Sequence, residues 1–289
     1  MSAPRGEATI ADTQRRQGSE LASASPARIA HRGASGHAPE HTVAAFDKAL
    51  ELGAEYLEFD VQLTADGVPV VIHDLTSLRT IRGLADHDMI SNLTHAQLAG
   101  ADAGSWFNEA HPTRAHPDFV GQPVLTLAGV LERYKHVAKF AIELKSRDDV
   151  DNGIEWRVLR TLADHGLLGG GGRTVIMSLS PVSPQRIHSL APAIELVQLF
   201  YEHEGPTEIG GRMEQVRRYA QGIGPHYTQI TGELVKAAHN ERLVVWTWAV
   251  NDPGEMKLLL DAGVDGIITD YPERLGAVLE ARRDEAAGN

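Results

Sequence analysis

The sequence predicts an α/β protein, a (β/α)8 barrel with a small insertion after the second barrel strand. Short β-rich runs recur at 28–30, 56–63, 69–72, 139–144, 174–178, 195–200, 222–223, 243–248 and 266–268, with helical patterns between most of them. That alternation implies a parallel sheet buried on both faces by helices. About eight β-α units in roughly 250 residues match the size of one barrel, and a doubly wound open sheet is the alternative. A chain of 289 residues, 42% hydrophobic, can fill such a core.

The elements follow in order. The first run leads into His31 and Arg32. From Thr42 to Leu52, Val43, Phe46, Ala49 and Leu50 recur near helical spacing. The second run, YLEFDVQL, carries Glu58 and Asp60 at i, i+2, so both side chains point to one face and Phe59 to the other. Carboxylates about 7 Å apart on a buried strand repel each other and are costly to desolvate. A divalent cation relieves both penalties, and oxygen ligands suit Mg2+ or Ca2+. The run at 69–72 leads into His73.

The rhythm then stops. Residues 75–122 show a single helix candidate, at 94–99, and Pro112, Pro117 and Pro123 punctuate the second half. A loop this long in a compact domain is usually a lid or a binding element. Trp106 and Phe107 are expected to pack it onto the barrel, and Asp86, His87, Asp88, His95, His111 and His116 are assigned to no metal. The insertion is expected to set tolerance for the substrate's alcohol end and to contribute little to the chemical step.

Beyond it, Thr126 caps a helix whose Leu127, Val130, Leu131 and Tyr134 form the buried face. Glu143 and Lys145 repeat the i, i+2 pattern on the next strand; a plain ion pair is the structural alternative. Trp246 and Trp248 share a parity, with Trp248 nearer the strand end. Asp252-Pro253 opens a helix with Met256, Leu259 and Leu260 inward and Gly263 at its end. Asp270 is expected to cap the last helix or to bond a site residue, the structural role being preferred.

Composition narrows the function classes. A net charge of -12 argues against a nucleic-acid partner, which would require a basic stripe. Without cysteine there is no disulfide, thiol nucleophile or thiolate metal site. Residues 1–27 lack an apolar run of a secretory signal and are expected to form a flexible leader before a domain at 28–286. No stretch approaches the roughly 20 apolar residues of a membrane span, and a cytoplasmic location is expected.

Barrel geometry assembles a site, because barrel active sites form at the C-terminal strand ends. Glu58, Asp60 and Glu143 then converge as ligands for one divalent cation. Arg32 and Lys145 add positive charge for an anion. His31 and His73 are the candidate acid and base, since an imidazole exchanges protons near neutral pH.

Many of these residues fall in one ordered set: His31-Arg32-Gly33, Pro39-Glu40, Thr42, Phe46, Gly53, Glu58-Phe59-Asp60-Val61, Thr64, Asp66-Gly67 and His73-Asp74. It continues with Glu143-Leu144-Lys145, Val245-Trp246-Thr247-Trp248 and Gly266-Ile267-Ile268-Thr269-Asp270-Tyr271-Pro272. In this the chain resembles the glycerophosphodiester phosphodiesterase family, from about residue 28 to about residue 280. His41 departs from the Asn that often follows Pro-Glu there. The resemblance implies the barrel, a pocket-shaping insertion, and hydrolysis of a small glycerophosphodiester to glycerol 3-phosphate and an alcohol through a cyclic phosphate. Glu40, in the matching motif, is expected to bond Arg32 or approach the metal, with a helix-entry acid as the alternative; Trp248, at the strand end, is expected to cover the glycerol moiety, with core packing as the alternative. A lipid-active phosphodiesterase of the same barrel type and a non-catalytic binding barrel are the alternatives.

Overall fold

In a computed structural model, the described residues are Leu21, 25–84, 89–146 and 151–287. Most of the expected leader, and Asp86, His87 and Asp88, lie outside them. Leu21 is buried among core residues that include Ala27 and Ile29.

Eight parallel strands close into a barrel among the described residues. They are β1 (Ala27–Ala30), β2 (Tyr56–Leu63), β4 (Lys139–Leu144), β5 (Thr174–Ser178), β6 (Glu195–Leu199), β7 (Gly222–Gly224), β8 (Val244–Thr247) and β9 (Gly266–Thr269). The order runs β1-β9-β8-β7-β6-β5-β4-β2, and β1–β2 pairing closes it. The open-sheet alternative is thereby excluded. β3 (Pro69–Val71) is not a barrel strand: it pairs antiparallel with β2 as a hairpin, Val71 opposite Val61.

Period 2 along β2 and β4 sorts the core. Leu57, Phe59, Val61, Phe140, Ile142 and Leu144 pack outward against helices. Tyr56 and Ala141 pack inside the barrel with Met177, Val197, Leu199 and Trp246. Trp246 is fully buried, deeper than Trp248, as its place farther from the strand end predicts.

Helices form where local chemistry starts and stops them. Thr42 caps α1 (Val43–Glu51) by accepting the Ala45 N–H. In the insertion, Thr94 and Gln97 form a capping box for the single turn α2 (His95–Leu98), and α3 (Ser105–Ala110) follows. Thr126 caps α4 (Leu127–Tyr134) through the Gly129 N–H. Next come α5 (Ile154–Asp164), α6 (Val182–Leu190), α7 (Pro206–Val216) and α8 (Gly232–Asn240). Asp252 caps α9 (Pro253–Ala262), which ends at Gly263 in the left-handed conformation, and α10 (Pro272–Ala287) closes the chain.

The insertion has a core of its own. Ile81, Ile90, Leu93, Leu98 and Ala101 pack against Val70 and Ile72 of the hairpin. Phe107 is fully buried with Trp106 edge-on at 5.7 Å. Arg114 crosses to the Gly36 carbonyl and lies 3.5 Å from the Tyr271 hydroxyl, tying the insertion to the loops after β1 and β9. Among the described residues, no helix is long and apolar enough to cross a membrane.

Candidate active site

The site begins at the turn after β1. Arg32 holds φ 56°, a left-handed conformation costly for most side chains, and its backbone N–H thereby donates to Glu58 Oε2 at 2.8 Å. Gly33 follows at φ 84°, where a Cβ would meet the Ala45 backbone at 2.8 Å. Glycine is therefore required for α1 to pack this close behind the turn.

Each candidate imidazole has a carboxylate behind it. His31 Nδ1 lies 2.7 Å from Asp270 Oδ1. Asp270 also accepts from Ser35 Oγ at 2.8 Å and from Asn251 Nδ2 at 2.6 Å. Burial opposes the Asp270 charge, but these donors prevail and hold the carboxyl below its ordinary range. Asp270 thus makes the bond to a site residue, the second of the two expectations for it. His73 Nδ1 lies 2.7 Å from Asp74 Oδ1, and the bond from His73 leads the effects that hold Asp74 low. A carboxylate only accepts, so it selects the Nδ1–H form and leaves Nε2 with its lone pair for a reactant.

Between them lie the carboxylates. Asp60 pairs with Glu143 across the β2–β4 register. With Glu58 they can each offer an oxygen within 4.8 Å of the others. Lys145 Nζ sits 2.8 Å from Asp60 Oδ1 and 2.5 Å from Glu143 Oε1. Burial raises the Glu58 carboxyl well above its usual range, reinforced by Asp60 and Glu143. Burial and Asp60 also raise Glu143, against the pull of Lys145. Burial works against the Asp60 charge too, but Lys145 foremost, with Arg32 adding to it, outweighs it and holds Asp60 low.

Asp60 Oδ2 gives the test of metal fit. It is buried, 3.1 Å from His41 Nε2 and 3.4 Å from Arg32 Nε, yet it has no hydrogen bond among the described residues. The reason lies in His41. Burial lowers its pKa and favours neutral imidazole, and Nε2 accepts the Asp60 backbone N–H at 3.2 Å. That nitrogen has no proton for Oδ2. An orphaned carboxylate oxygen beside two other converging carboxylates suits a hard divalent cation. His41 has φ 61°, a conformation Asn and His tolerate better than most residues.

Glu40 braces the cations. Its Oε1 accepts from Arg32 Nη1 at 3.0 Å, and Arg79 of the insertion reaches both of its oxygens, at 2.7 and 2.8 Å. Burial opposes the charge, but Arg79 and Arg32 outweigh it and push the carboxyl down to about 2 from 4.5. A carboxyl lowered on folding adds stability above its unfolded value and loses it as the pH falls through the folded one. The gap from 4.5 to about 2 corresponds to ~3 kcal/mol. Glu40→Gln is expected to flatten the acid loss of unfolding free energy by about that much, read from urea denaturation across this range. An unflattened profile would show that the ion pairs of Glu40 contribute nothing.

Trp248 stands apart from this group. It follows β8, which β1 and β9 separate from β2, and its indole N–H donates to the Gly224 carbonyl at 2.9 Å. It can offer a ligand only a ring face. An open pocket of about 480 Å³ is lined by His73, Asp74, Leu75, Thr76 and Lys145. The site thus brings together His31, His73, Arg32, Lys145, Glu58, Asp60, Glu143 and Glu40. It adds Asp74, Ser35, Asn251 and Arg79, which residue patterns alone did not single out, and it brings in Asp270 through its bond to His31. The quoted motifs already held Asp74 and Asp270 as a signal.

Two imidazoles backed by carboxylates, facing cations and an acidic cluster at the mouth of an α/β barrel, define a barrel suited to phosphodiester cleavage. Residues 31–274 match the sequence profile of the glycerophosphoryl diester phosphodiesterase family, and the chain belongs to that family. It is 38% identical over 248 residues to the glycerophosphodiester phosphodiesterase of Bacillus subtilis strain 168, covering 85% of this chain and 83% of that one. With the glycerophosphodiester phosphodiesterase of Caldanaerobacter subterraneus the identity is 35% over 250 residues, covering 86% and 95%. Among solved structures, the Agrobacterium tumefaciens glycerophosphodiester phosphodiesterase superposes with a TM-score of 0.70 at 28% identity, covering 87% of this chain and 99% of that one.

Proposed function

We propose that this protein hydrolyses glycerophosphodiesters to glycerol 3-phosphate and an alcohol, with a divalent cation bound by Glu58, Asp60 and Glu143. The observation that carries the reading is the pair of carboxylate-backed imidazoles, His31 on Asp270 and His73 on Asp74, at the same mouth as the carboxylate cluster. The bound cation, Mg2+ or Ca2+, supplies Lewis-acid charge to the phosphate oxygens. Arg32 and Lys145 add positive charge toward the same anion. One imidazole takes at Nε2 the proton of the attacking glycerol hydroxyl while the other, entering doubly protonated, gives its Nε2 proton to the departing alkoxide; water then opens the cyclic phosphate with the two roles exchanged, which yields glycerol 3-phosphate. The alcohol lies in the pocket of Leu75 and Thr76 beside His73, and Trp248 offers a ring face to the glycerol.

The test incubates pure protein with glycerophosphocholine, glycerophosphoethanolamine and glycerophosphoglycerol, with added cation or EDTA, and couples glycerol 3-phosphate release to a dehydrogenase. Release with cation and none in EDTA is expected. Release of no product from any diester would sink the reading. An arm with lysophosphatidylcholine separates a lipid-active enzyme: Leu75 and Leu78 are each 49% exposed, but two leucines fall short of the apolar patch of several hundred Å² that marks a lipid-binding surface.

A further inference from the structure

We infer that Arg79 is a positioning residue of the reaction, the member of the insertion that sets both His73 and Arg32. The inference rests on the proposed hydrolysis.

Its guanidinium makes four hydrogen bonds to two carboxylates. Nε donates to Asp74 Oδ2 at 2.7 Å and Nη2 to Asp74 Oδ1 at 3.0 Å. Nη1 donates to Glu40 Oε2 at 2.8 Å and Nη2 to Glu40 Oε1 at 2.7 Å. Each carboxylate then passes the constraint on. Asp74 Oδ1 is the atom that His73 Nδ1 meets at 2.7 Å. Glu40 Oε1 is the atom that receives Arg32 Nη1 at 3.0 Å. One planar group is therefore one carboxylate away from the proton-transfer imidazole and one away from the phosphate-facing arginine.

The geometry explains why the group is an arginine. A guanidinium holds its donors in a fixed plane and meets two carboxylates side-on, whereas an ammonium is a point charge without that angular demand. The angle between the loop after β1, which carries Glu40, and the segment after β3, which carries Asp74, is thus set by one rigid fork. Trp106 of α3 backs the guanidinium, its ring centroid 5.8 Å from the Arg79 Cζ. Gln62 Nε2 holds the backbone of the same turn, donating to the carbonyls of Ile72, His73 and Asp74 at 3.1, 2.9 and 2.7 Å. With the backbone held by Gln62, the remaining freedom is rotation of the Asp74 carboxylate, and Arg79 removes it. The insertion thereby takes part in the chemical step, beyond the head-group tolerance expected of it.

The experiment uses the full chain with its cation and glycerophosphocholine. Arg79→Ala is expected to lower kcat by about 30-fold, the scale of losing an outer hydrogen-bond partner that orients a site residue. Arg79→Lys is expected to recover less than about a tenth of the loss, because it restores charge without the fork. Guanidinium ion added to R79A is expected to raise its rate several-fold and to leave wild type unchanged. In a His73→Ala background the cost of R79A is expected to shrink, since residues acting as one unit are non-additive, and to keep only the part that runs through Glu40 to Arg32. Nitrogen NMR of labelled histidine gives a readout independent of turnover: His73 is expected as the Nδ1–H tautomer in wild type and as a mixture in R79A. Should R79A not fold, R79K carries the same kinetic cycle and spectrum. Turnover in R79K within about threefold of wild type, an undiminished cost in the His73→Ala background, or an unchanged His73 tautomer would each overturn the inference. A wild-type protein inert on every diester would sink the functional reading alone, and the tautomer measurement would still decide the role of Arg79.

Discussion

Replacing His31 or His73 by Ala is expected to lower kcat by on the order of 100-fold or more, with a folded spectrum retained. Each ring meets a carboxylate at Nδ1 and is part-exposed at the barrel mouth, so truncation leaves no large cavity in the core. The loss is one of proton transfer. The two substitutions are separable by leaving group. An alcohol of low pKa departs without a proton, so a substrate carrying one is expected to rescue the variant that lacks the acid and to leave the other impaired. That contrast assigns base and acid, which the two dyads do not distinguish by hydrogen bonding. Near-wild-type turnover in both variants would make these histidines packing residues.

Removing the cation is expected to abolish activity and lower Tm, and Glu58→Gln is expected to separate the two effects. Burial, with Asp60 and Glu143 beside it, raises Glu58 well above its usual range. A carboxyl raised on folding contributes stability below its unfolded pKa and loses it as the pH rises through the folded one. At neutral pH the charged form therefore destabilises the metal-free protein. The amide imitates the protonated form and still accepts the Arg32 N–H. Metal-free E58Q is thus expected to unfold at a Tm equal to or above that of metal-free wild type. A ligand that binds only the native state stabilises it by ~2.7 kcal/mol at a hundred times its Kd. Wild type is expected to gain on that scale with Mg2+ or Ca2+, and E58Q little or nothing, with activity lost. Scanning calorimetry with and without EDTA measures both. An E58Q protein stabilised by cation as strongly as wild type would remove Glu58 from the metal site.

Much of this was legible along the chain because the signals are local. Period 2 places Glu58 with Asp60, and Glu143 with Lys145, from two residues of context. Thr42, Thr126 and Asp252 announce helix starts through bonds that reach only two or three residues on. The alternation of β and α runs points to a parallel sheet, and the ordered motifs point to the family.

Most partners of the candidate site residues were not legible, because contacts between distant segments create them. Asp270 reaches His31 across 239 positions of sequence only because β1 pairs with β9, Ala30 beside Thr269. β3 carries the helix-free signature of any strand, yet it turns back on β2 and delivers His73 and Asp74 to the mouth from outside the barrel. Arg79 meets Glu40 across 39 positions, from an insertion whose path no periodicity specifies. His41 reads as a departure from a motif, and its left-handed backbone and its bond to the Asp60 N–H emerge only in three dimensions. Residue types and their faces are set by backbone period and capping, which act within a turn or a strand. The hydrogen bonds that orient those residues join distant segments, and they exist only once the eight strands have closed and the insertion has packed across the mouth.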